Sequence, residues 1–400
     1  MRKIWTTQSE TKTNMKRAKD IFWEFVSLEN LRRAFYNAKR GKHKRGKYPE
    51  LKAFEKKLEG NLKKLQAELI RGTWRPSGIY RRFTTWDTGK ERVVDWNPSF
   101  IDNLVQHAIQ QTAGQVLLRA GIRDTYSGIP GRGVHDGVKR VSRFIRSYEL
   151  DLMPIYILKM DVRKFYASID LERLKEKIRR RIKDKRMLQV IELIIDGHPE
   201  GLPIGNYLSQ HLANFFLADN DQNIKAKGVK HYARYCDDMV ALSSNKNELK
   251  SLMFSTIEYV AGDGLEIKRN AQVYPIERDG GLDFLGYNFY RHSIRLRKRN
   301  ERNFRSAVDD FKKNPCMKTF RPLASYNGEL KWTSHGGRLW NKLLHKPLKQ
   351  IHQEVKNVQT DPRKSQNRFS RRNAIGRHAR NSARRLERAV PGVCPYGNDH

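Results

Sequence analysis

The sequence predicts an α+β protein: a small antiparallel sheet backed by helices on one face, without the regular alternation of a parallel βαβ array. Three observations predict it. The middle of the chain reads strand, helix, helix, strand–strand, helix, strand. The strand runs are short and apolar, as in "IYILKMDV" (155–162) and "HYARYCDDMVAL" (231–242). The segments around them carry apolar residues at helical spacing, such as Leu51, Phe54, Leu58, Leu62, Leu65 and Leu69, or Leu171, Leu174, Ile178 and Ile182.

Taken in order, residues 1–75 read as basic helices, with the stripe from Leu51 interrupted at Gly60 and preceded by the cation cluster "KRGKHKRGKYPE". Residues 79–96 read as two strands around a turn at 87–89, because Asp, Thr and Gly sit between β-branched and aromatic runs. "NPSFIDNLVQHAIQQ" opens on a capping-type residue and Pro98, and Ile101, Leu104, Val105, Ala108 and Ile109 follow at helical spacing. Asp170 reads as the N-cap of the helix "LERLKEKIRRRI". "GLPIGNYLSQ" is a Gly/Pro loop entering a helix, and the acidic pair Asp237–Asp238 sits at the tip of a hairpin. A helix and a strand follow, then a hairpin made from "GLDFLGYNFY" and "SIRLRK". From about 300 onward the chain reads as helical and very basic, and "RKSQNRFSRRNAIGRHARNSARRLERAV" (363–390) contains one glutamate as its only acid.

The 400 residues carry 80 Lys plus Arg against 43 Asp plus Glu, a formal charge of +37. Such an excess calls for a polyanionic partner. No apolar run approaches the roughly 20 residues of a spanning helix, and the first residues lack the apolar core of a signal peptide. Three scattered cysteines, Cys236, Cys316 and Cys394, fit a reducing compartment and no disulfide framework. Nucleic acid in a cytoplasm-like setting is therefore the expected partner, and no membrane.

Against that charge, Asp161 ends an apolar strand and Asp237 and Asp238 sit side by side in a hairpin. An adjacent aspartate pair in a hairpin is ordinarily solvated turn chemistry. Strands can bring Asp161 beside the pair, however, and converging carboxylates repel strongly unless divalent cations neutralise them. Hard oxygen ligands suit Mg²⁺, and two such ions can activate an attacking hydroxyl and stabilise a leaving pyrophosphate.

Read as an ordered series, these segments resemble a reverse transcriptase. "MDVRKFYASID" is similar to the first catalytic motif of that family, "GLPIGNYLSQ" to its second and "YCDD" to its Y-x-D-D hairpin. "LEIKRNAQVYPI" and "LDFLGYNF" resemble the two segments that follow, and "KERVVDW" and "YSGIPGRGVHDGVKRV" resemble fingers motifs upstream. The second motif has Ile204 before Gly205 and ends Ser209-Gln210, where many relatives have Gln and Ser-Pro. That form, with "NAQVYPI…GLDFLGY" and "SYNGELKW", resembles the reverse transcriptases of diversity-generating retroelements. These copy a template-repeat RNA into cDNA with errors concentrated at adenines.

The resemblance implies a right-hand polymerase fold. It places a basic helical region at 1–75, fingers at 76–136 and 171–206, palm at 137–170 and 207–295, and a basic helical thumb and C-terminal region at 296–400. It implies Asp161, Asp237 and Asp238 as catalytic carboxylates holding two Mg²⁺, with the Val162 carbonyl as a further ligand. Tyr166 falls at the steric-gate position beside Phe165. Arg82, Lys90 and Arg92 fall where fingers cations meet the triphosphate, and Ile204, Gly205 and Gln210 complete the nucleotide site. Phe284, Leu285, Gly286 and Tyr287 fall in the primer grip. The implied partners are template RNA, cDNA or primer, dNTPs and a small basic accessory protein oligomer, in a prokaryotic cell or encoded by a phage.

Two departures carry expectations of their own. Ile204 cannot donate a hydrogen bond to an incoming nucleotide, so apolar contact would hold the geometry and discriminate less sharply. Where relatives place a lysine as the acid for pyrophosphate, this sequence has Ala271, with Lys268 nearby. Cys236 is expected to be a packed thiol, not a reactive one. Group II intron proteins would need further domains after the thumb, and a retron enzyme would show Val-Thr-Gly. The rival from another class is a non-catalytic RNA-binding scaffold with the same fold.

Overall fold

The structure, a computed structural model, describes residues 18–40, 50–87, 90–150, 153–278, 280–314 and 316–344. Most of the cation cluster before Glu50, the Arg-rich run 363–390 and Cys394 lie outside them. The chain forms two compact units, Met1–Pro275 and Ile276–His400.

The first unit opens with helices α1 (Ile21–Val26), α2 (Leu28–Lys39), α3 (Glu50–Lys56) and α4 (Leu58–Arg71). The expected stripe is buried at Leu51, Phe54, Leu62, Leu65 and Leu69. The break falls at Lys57, not Gly60: Lys57 leaves the helical region with φ −123°, and the Asn61 side chain donates to the Phe54 carbonyl at 2.9 Å. A local side chain thus takes over a carbonyl that the helix would otherwise have used. Strands β1 (Arg81–Asp87) and β2 (Lys90–Trp96) form the expected hairpin as a separate two-stranded sheet. Helix α5 (Phe100–Gln111) is capped by Ser99, whose hydroxyl accepts from the Asp102 amide at 3.1 Å, so the cap lies inside the Asn-Pro-Ser run and not at its start. Helices α6 (Ala113–Leu118) and α7 (Val134–Leu150) follow.

Strand β3 (Tyr156–Asp161) leads into the single turn α8 (Phe165–Ser168), then α9 (Leu171–Arg181), α10 (Lys185–Ile195), α11 (Tyr207–Phe216) and α12 (Ala218–Ala226). Asp170 caps α9 as expected, accepting from the Arg173 amide at 3.1 Å. The hairpin β4 (Tyr232–Tyr235) and β5 (Asp238–Ser243), helix α13 (Lys246–Gly262) and strand β6 (Gln272–Pro275) complete the unit. Its main sheet runs β4-β5-β3-β6, antiparallel throughout, and α13 packs on β3, β5 and β6. Because strand side chains alternate, Leu158, Met160, Met239, Ala241 and Tyr232 join one buried core, while Lys159, Asp161 and Asp238 occupy the other face.

The second unit begins with a three-stranded sheet, β7 (Leu282–Phe284), β8 (Tyr287–Phe289) and β9 (Ile294–Leu296). The expected hairpin is the β8–β9 pair, with Tyr287 opposite Leu296 and Phe289 opposite Ile294. A further tight turn lies inside "GLDFLGYNFY", where Leu285 (φ 57°) and Gly286 (φ 85°) both take the left-handed conformation that a two-residue hairpin turn demands. Helices α14 (Lys298–Lys313) and α15 (Met317–Leu330) and a further helical stretch at 336–344 bury Phe304, Val308, Phe311, Leu323 and Trp340.

Candidate active site

The register of the main sheet brings the three sequence-predicted acids together. Asp161 at the end of β3 is the direct cross-strand partner of Asp238 at the start of β5. Tyr235 pairs with Asp238 across the hairpin, which leaves Cys236 and Asp237 as its two-residue turn. Cys236 sits at φ 58°, the left-handed conformation required at the first position of primed hairpin turns. The Val162 amide donates to the Asp237 carbonyl at 3.4 Å, so the chain leaving Asp161 is tied to that turn.

Burial, then the charge of Asp161, holds the Asp237 carboxyl above the usual carboxylate range. Burial pushes Asp238 up to about 7; Lys159 opposes this and Asp161 adds to it. Two lysines sit on the acids. Lys268 is ion-paired with Asp161, and Lys159 donates to Asp238 Oδ2 at 3.3 Å. The Lys268 amide also donates to the Asp161 carbonyl at 2.8 Å, so the backbone itself brings this lysine to the site. Sequence spacing had pointed to Ala271. The return of the chain along Asp161, with Val162 bridged to Ile267, puts the cation three residues earlier.

This donor set fits a divalent cation. Asp238 Oδ1 is buried without a hydrogen-bond partner, whereas Asp161 Oδ1 lies against the Lys268 ammonium. A buried carboxylate oxygen left without a partner favours a cation, and the two ammonium groups already supply positive charge there. Among the described residues no three His, Cys, Asp or Glu side chains are drawn close enough to form a ready-made cage. The arrangement suits an ion that takes few protein ligands and completes its shell with water and phosphate oxygens.

The flanking loop is pinned at both ends. Leu202 donates to the Tyr166 carbonyl at 2.8 Å and Gly205 to the Asp95 carbonyl at 3.1 Å. A Cβ on Gly205 would lie 2.4 Å from the Asp95 oxygen and 2.7 Å from the Trp96 Cα, so this position needs glycine. Between the pins, Ile204 is 46% exposed. Tyr166 lies on α8 next to the buried Phe165, with ring centroids 5.7 Å apart, and its hydroxyl accepts from the Cys236 thiol at 3.5 Å. Burial raises the Tyr166 phenol far above its ordinary value and pushes the Cys236 thiol up to about 11. Cys236 is thus the protonated, packed thiol that was expected.

The other sequence-predicted residues lie on the β1–β2 hairpin, on α11 and in the second unit. In the β1–β2 hairpin, Arg92 shares a face with Arg81, Phe83, Thr85, Val94 and Trp96. Arg82 lies on the opposite face and is held by both oxygens of Asp95, at 2.8 and 2.9 Å, while Asp95 also meets His198 at 3.2 Å. Lys90 opens β2 opposite Asp87. Gln210 donates to the Ser127 hydroxyl at 2.6 Å, and its side chain fills the space beside Gly128. Phe284, Leu285, Gly286 and Tyr287 form the β7–β8 turn of the second unit, where the Tyr287 hydroxyl donates to the Glu329 carbonyl at 3.1 Å. Sequence reasoning missed Lys159 and Arg234. Lys159 carries a period-two signal, two residues before Asp161 on the same strand face.

The family profile described as "Reverse transcriptase (RNA-dependent DNA polymerase)" matches residues 87–289, about half of the chain. No curated protein matches the sequence. Solved structures of similar shape include a telomerase from Candida albicans with a fragment of telomeric RNA, at 12% identity over 75% of this chain and 64% of that one, with a TM-score of 0.43. Telomerase from Candida tropicalis is similar with telomeric RNA, at 14% identity, 76% and 59% coverage and a TM-score of 0.44. Its apo form gives 13%, 62%, 51% and 0.45. The chain thus spans between half and two thirds of the length of these telomerase chains.

Proposed function

The chain belongs to the reverse transcriptase (RNA-dependent DNA polymerase) family and has its right-hand polymerase fold, and on that premise we propose that it copies a template-repeat RNA into cDNA for a diversity-generating retroelement, with errors concentrated at template adenines. The observation that carries the polymerase reading is the register that sets Asp161 against Asp238 with Asp237 in the adjoining turn.

Two Mg²⁺ held by Asp161, Asp237, Asp238 and the Val162 carbonyl would supply activation of the primer 3′-OH and stabilisation of the leaving pyrophosphate. The protein's own work is positioning and charge stabilisation. Tyr166, protonated and packed against Cys236, presents a ring under the sugar, where a ribose 2′-OH would clash. Arg92, with Lys90 in the same strand, meets the triphosphate, and charge-assisted bonds to phosphate are the strong kind. Lys268, on Asp161, is the cation best placed to neutralise charge developing on pyrophosphate.

The retroelement subtype is supported by the "IGNYLSQ" form of the second motif and by Ile204, an exposed side chain with no hydrogen-bonding group on a loop with little backbone freedom. The charge of +37 supports a template–primer partner gripped through its backbone, with affinity falling steeply as salt rises. The small basic accessory oligomer is proposed on the subtype resemblance alone. Among the described residues no helix is long and apolar enough to cross a membrane.

The test is dNTP incorporation on a defined RNA template with Mg²⁺, using Asp237→Ala as control, followed by sequencing of the product. cDNA with substitutions concentrated opposite adenine supports both parts. Faithful cDNA would leave a reverse transcriptase of group II-like or retron-like character. No incorporation with any primer, RNA or accessory protein would favour a non-catalytic scaffold.

A further inference from the structure

Arg234 is a hub for which the polymerisation chemistry has no use. The pleat of β4 turns it to the core side with its cross-strand partner Met239, while its neighbour Tyr235 lies on the side of the acids. Its side chain is fully buried, as is that of Asp221 on α12, and the two are joined by contacts of 2.6 and 2.9 Å. A buried ion pair is weak support for stability, because desolvation offsets much of the attraction. The geometry shows another use. Arg234 Nη1 donates to the carbonyl of Cys236 at 2.8 Å, inside the catalytic turn and one residue before Asp237. Nη1 and Nη2 also reach Asn214 Oδ1 and its carbonyl, at 3.3 and 3.1 Å.

The far end of the brace is itself held. Asp221 accepts from the Tyr232 hydroxyl at 2.7 Å and from Thr125 at 3.4 Å. The backbone of Arg234 lies along the 124–126 segment, donating to the Asp124 carbonyl at 2.9 Å and accepting from Tyr126 at 3.0 Å. The turn thus has a rigid base beneath Cys236, whose φ of 58° is rarely adopted by residues other than glycine.

We propose that Arg234, oriented by Asp221, is a positioning residue for catalysis: its guanidinium holds the Cys236 carbonyl and so fixes the left-handed turn that aims Asp237 and Asp238 toward Asp161. A guanidinium can do this because its planar fork serves a carboxylate and a carbonyl at once. A single ammonium cannot reproduce that geometry. The role rests on the polymerase reading above.

Two variants test it. Arg234→Lys keeps a charge beside Asp221 but lacks the arm to Cys236. Asp221→Asn with Arg234→Met removes both charges together, which avoids leaving one buried alone. In each, kcat for dNTP addition should fall at least about tenfold while the dNTP KM stays within about threefold, since small misplacements of reacting groups cost rate steeply. Amide exchange should quicken at 235–238 while the melting transition stays cooperative. Either folded variant with wild-type kcat, or kcat and KM changing together, overturns the proposal. If the double variant does not fold, Arg234→Lys decides alone. Absence of incorporation by the wild-type protein would instead count against the polymerase reading, so the two failures are distinguishable.

Discussion

Asp161 and Asp238 are direct partners across β3 and β5, and each carries a lysine: Lys268 on the first, Lys159 on the second. Like charges are thus set opposite one another in a sheet, an arrangement that costs stability unless cations offset it.

Replacing Asp238 by Asn should therefore raise stability while it removes activity. Asp238 is only 23% exposed, and burial disfavours its charged form. In the presence of a chelator, Asp238→Asn should be more stable than the wild type by roughly 1–3 kcal/mol in urea unfolding. Adding Mg²⁺ should stabilise the wild type more than the variant. dNTP addition should drop by about three orders of magnitude. A variant that is less stable in chelator, or that polymerises normally, would contradict this account.

The two arginines of the β1–β2 hairpin, Arg82 and Arg92, should behave differently. Arg92→Ala is expected to raise the dNTP KM about tenfold through loss of a charge-assisted phosphate contact. Arg82→Ala removes the partner of Asp95 on the other face. It should leave KM within about twofold, and Asp95→Asn should mimic it. Steady-state kinetics on the three variants separates the faces, and an equal rise in KM for Arg82→Ala would erase the distinction.

The pinned loop makes a paired prediction. Gly205→Ala forces a Cβ to within 2.4 Å of the Asp95 oxygen and should destabilise the protein by about 1–3 kcal/mol. Ile204→Gln is exposed and should leave the melting temperature unchanged, while misincorporation opposite template adenine falls. An error rate that does not move refutes the role of Ile204.

His211 should give a pH dependence of stability. Burial lowers its imidazole to about 4, and its ring meets Tyr207 edge-on at 5.2 Å. A depressed folded value means that the stability is present above the unfolded value of about 6.5 and is lost as pH falls toward 4. Over that window the wild type should lose about 1–3 kcal/mol that His211→Phe does not lose. Parallel urea-unfolding curves for the two proteins would refute it.

The acids were legible because each closes or opens a short apolar run, so strand register alone could bring them together. Asp170 was legible as a cap because the helix stripe begins one residue later. Lys268 was legible only as a lysine near the expected position, since linear spacing cannot foresee that the chain between α13 and β6 runs back along Asp161. The Arg234–Asp221 pair was not legible, because it joins a strand to a helix through the core. The break at Lys57 escaped for a similar reason. Gly60 looked like the breaker, but it sits comfortably within α4, and Asn61 captured the Phe54 carbonyl instead.

The two anchors around Ile204 have a bearing on how selectivity could evolve. Leu202 is hydrogen-bonded to the Tyr166 carbonyl and Gly205 is pressed on β2, so the main chain on either side of Ile204 is anchored. If 166 and 204 line the nucleotide site as proposed, drift toward higher or lower accuracy would proceed by exchanging single side chains at these positions, with the scaffold untouched.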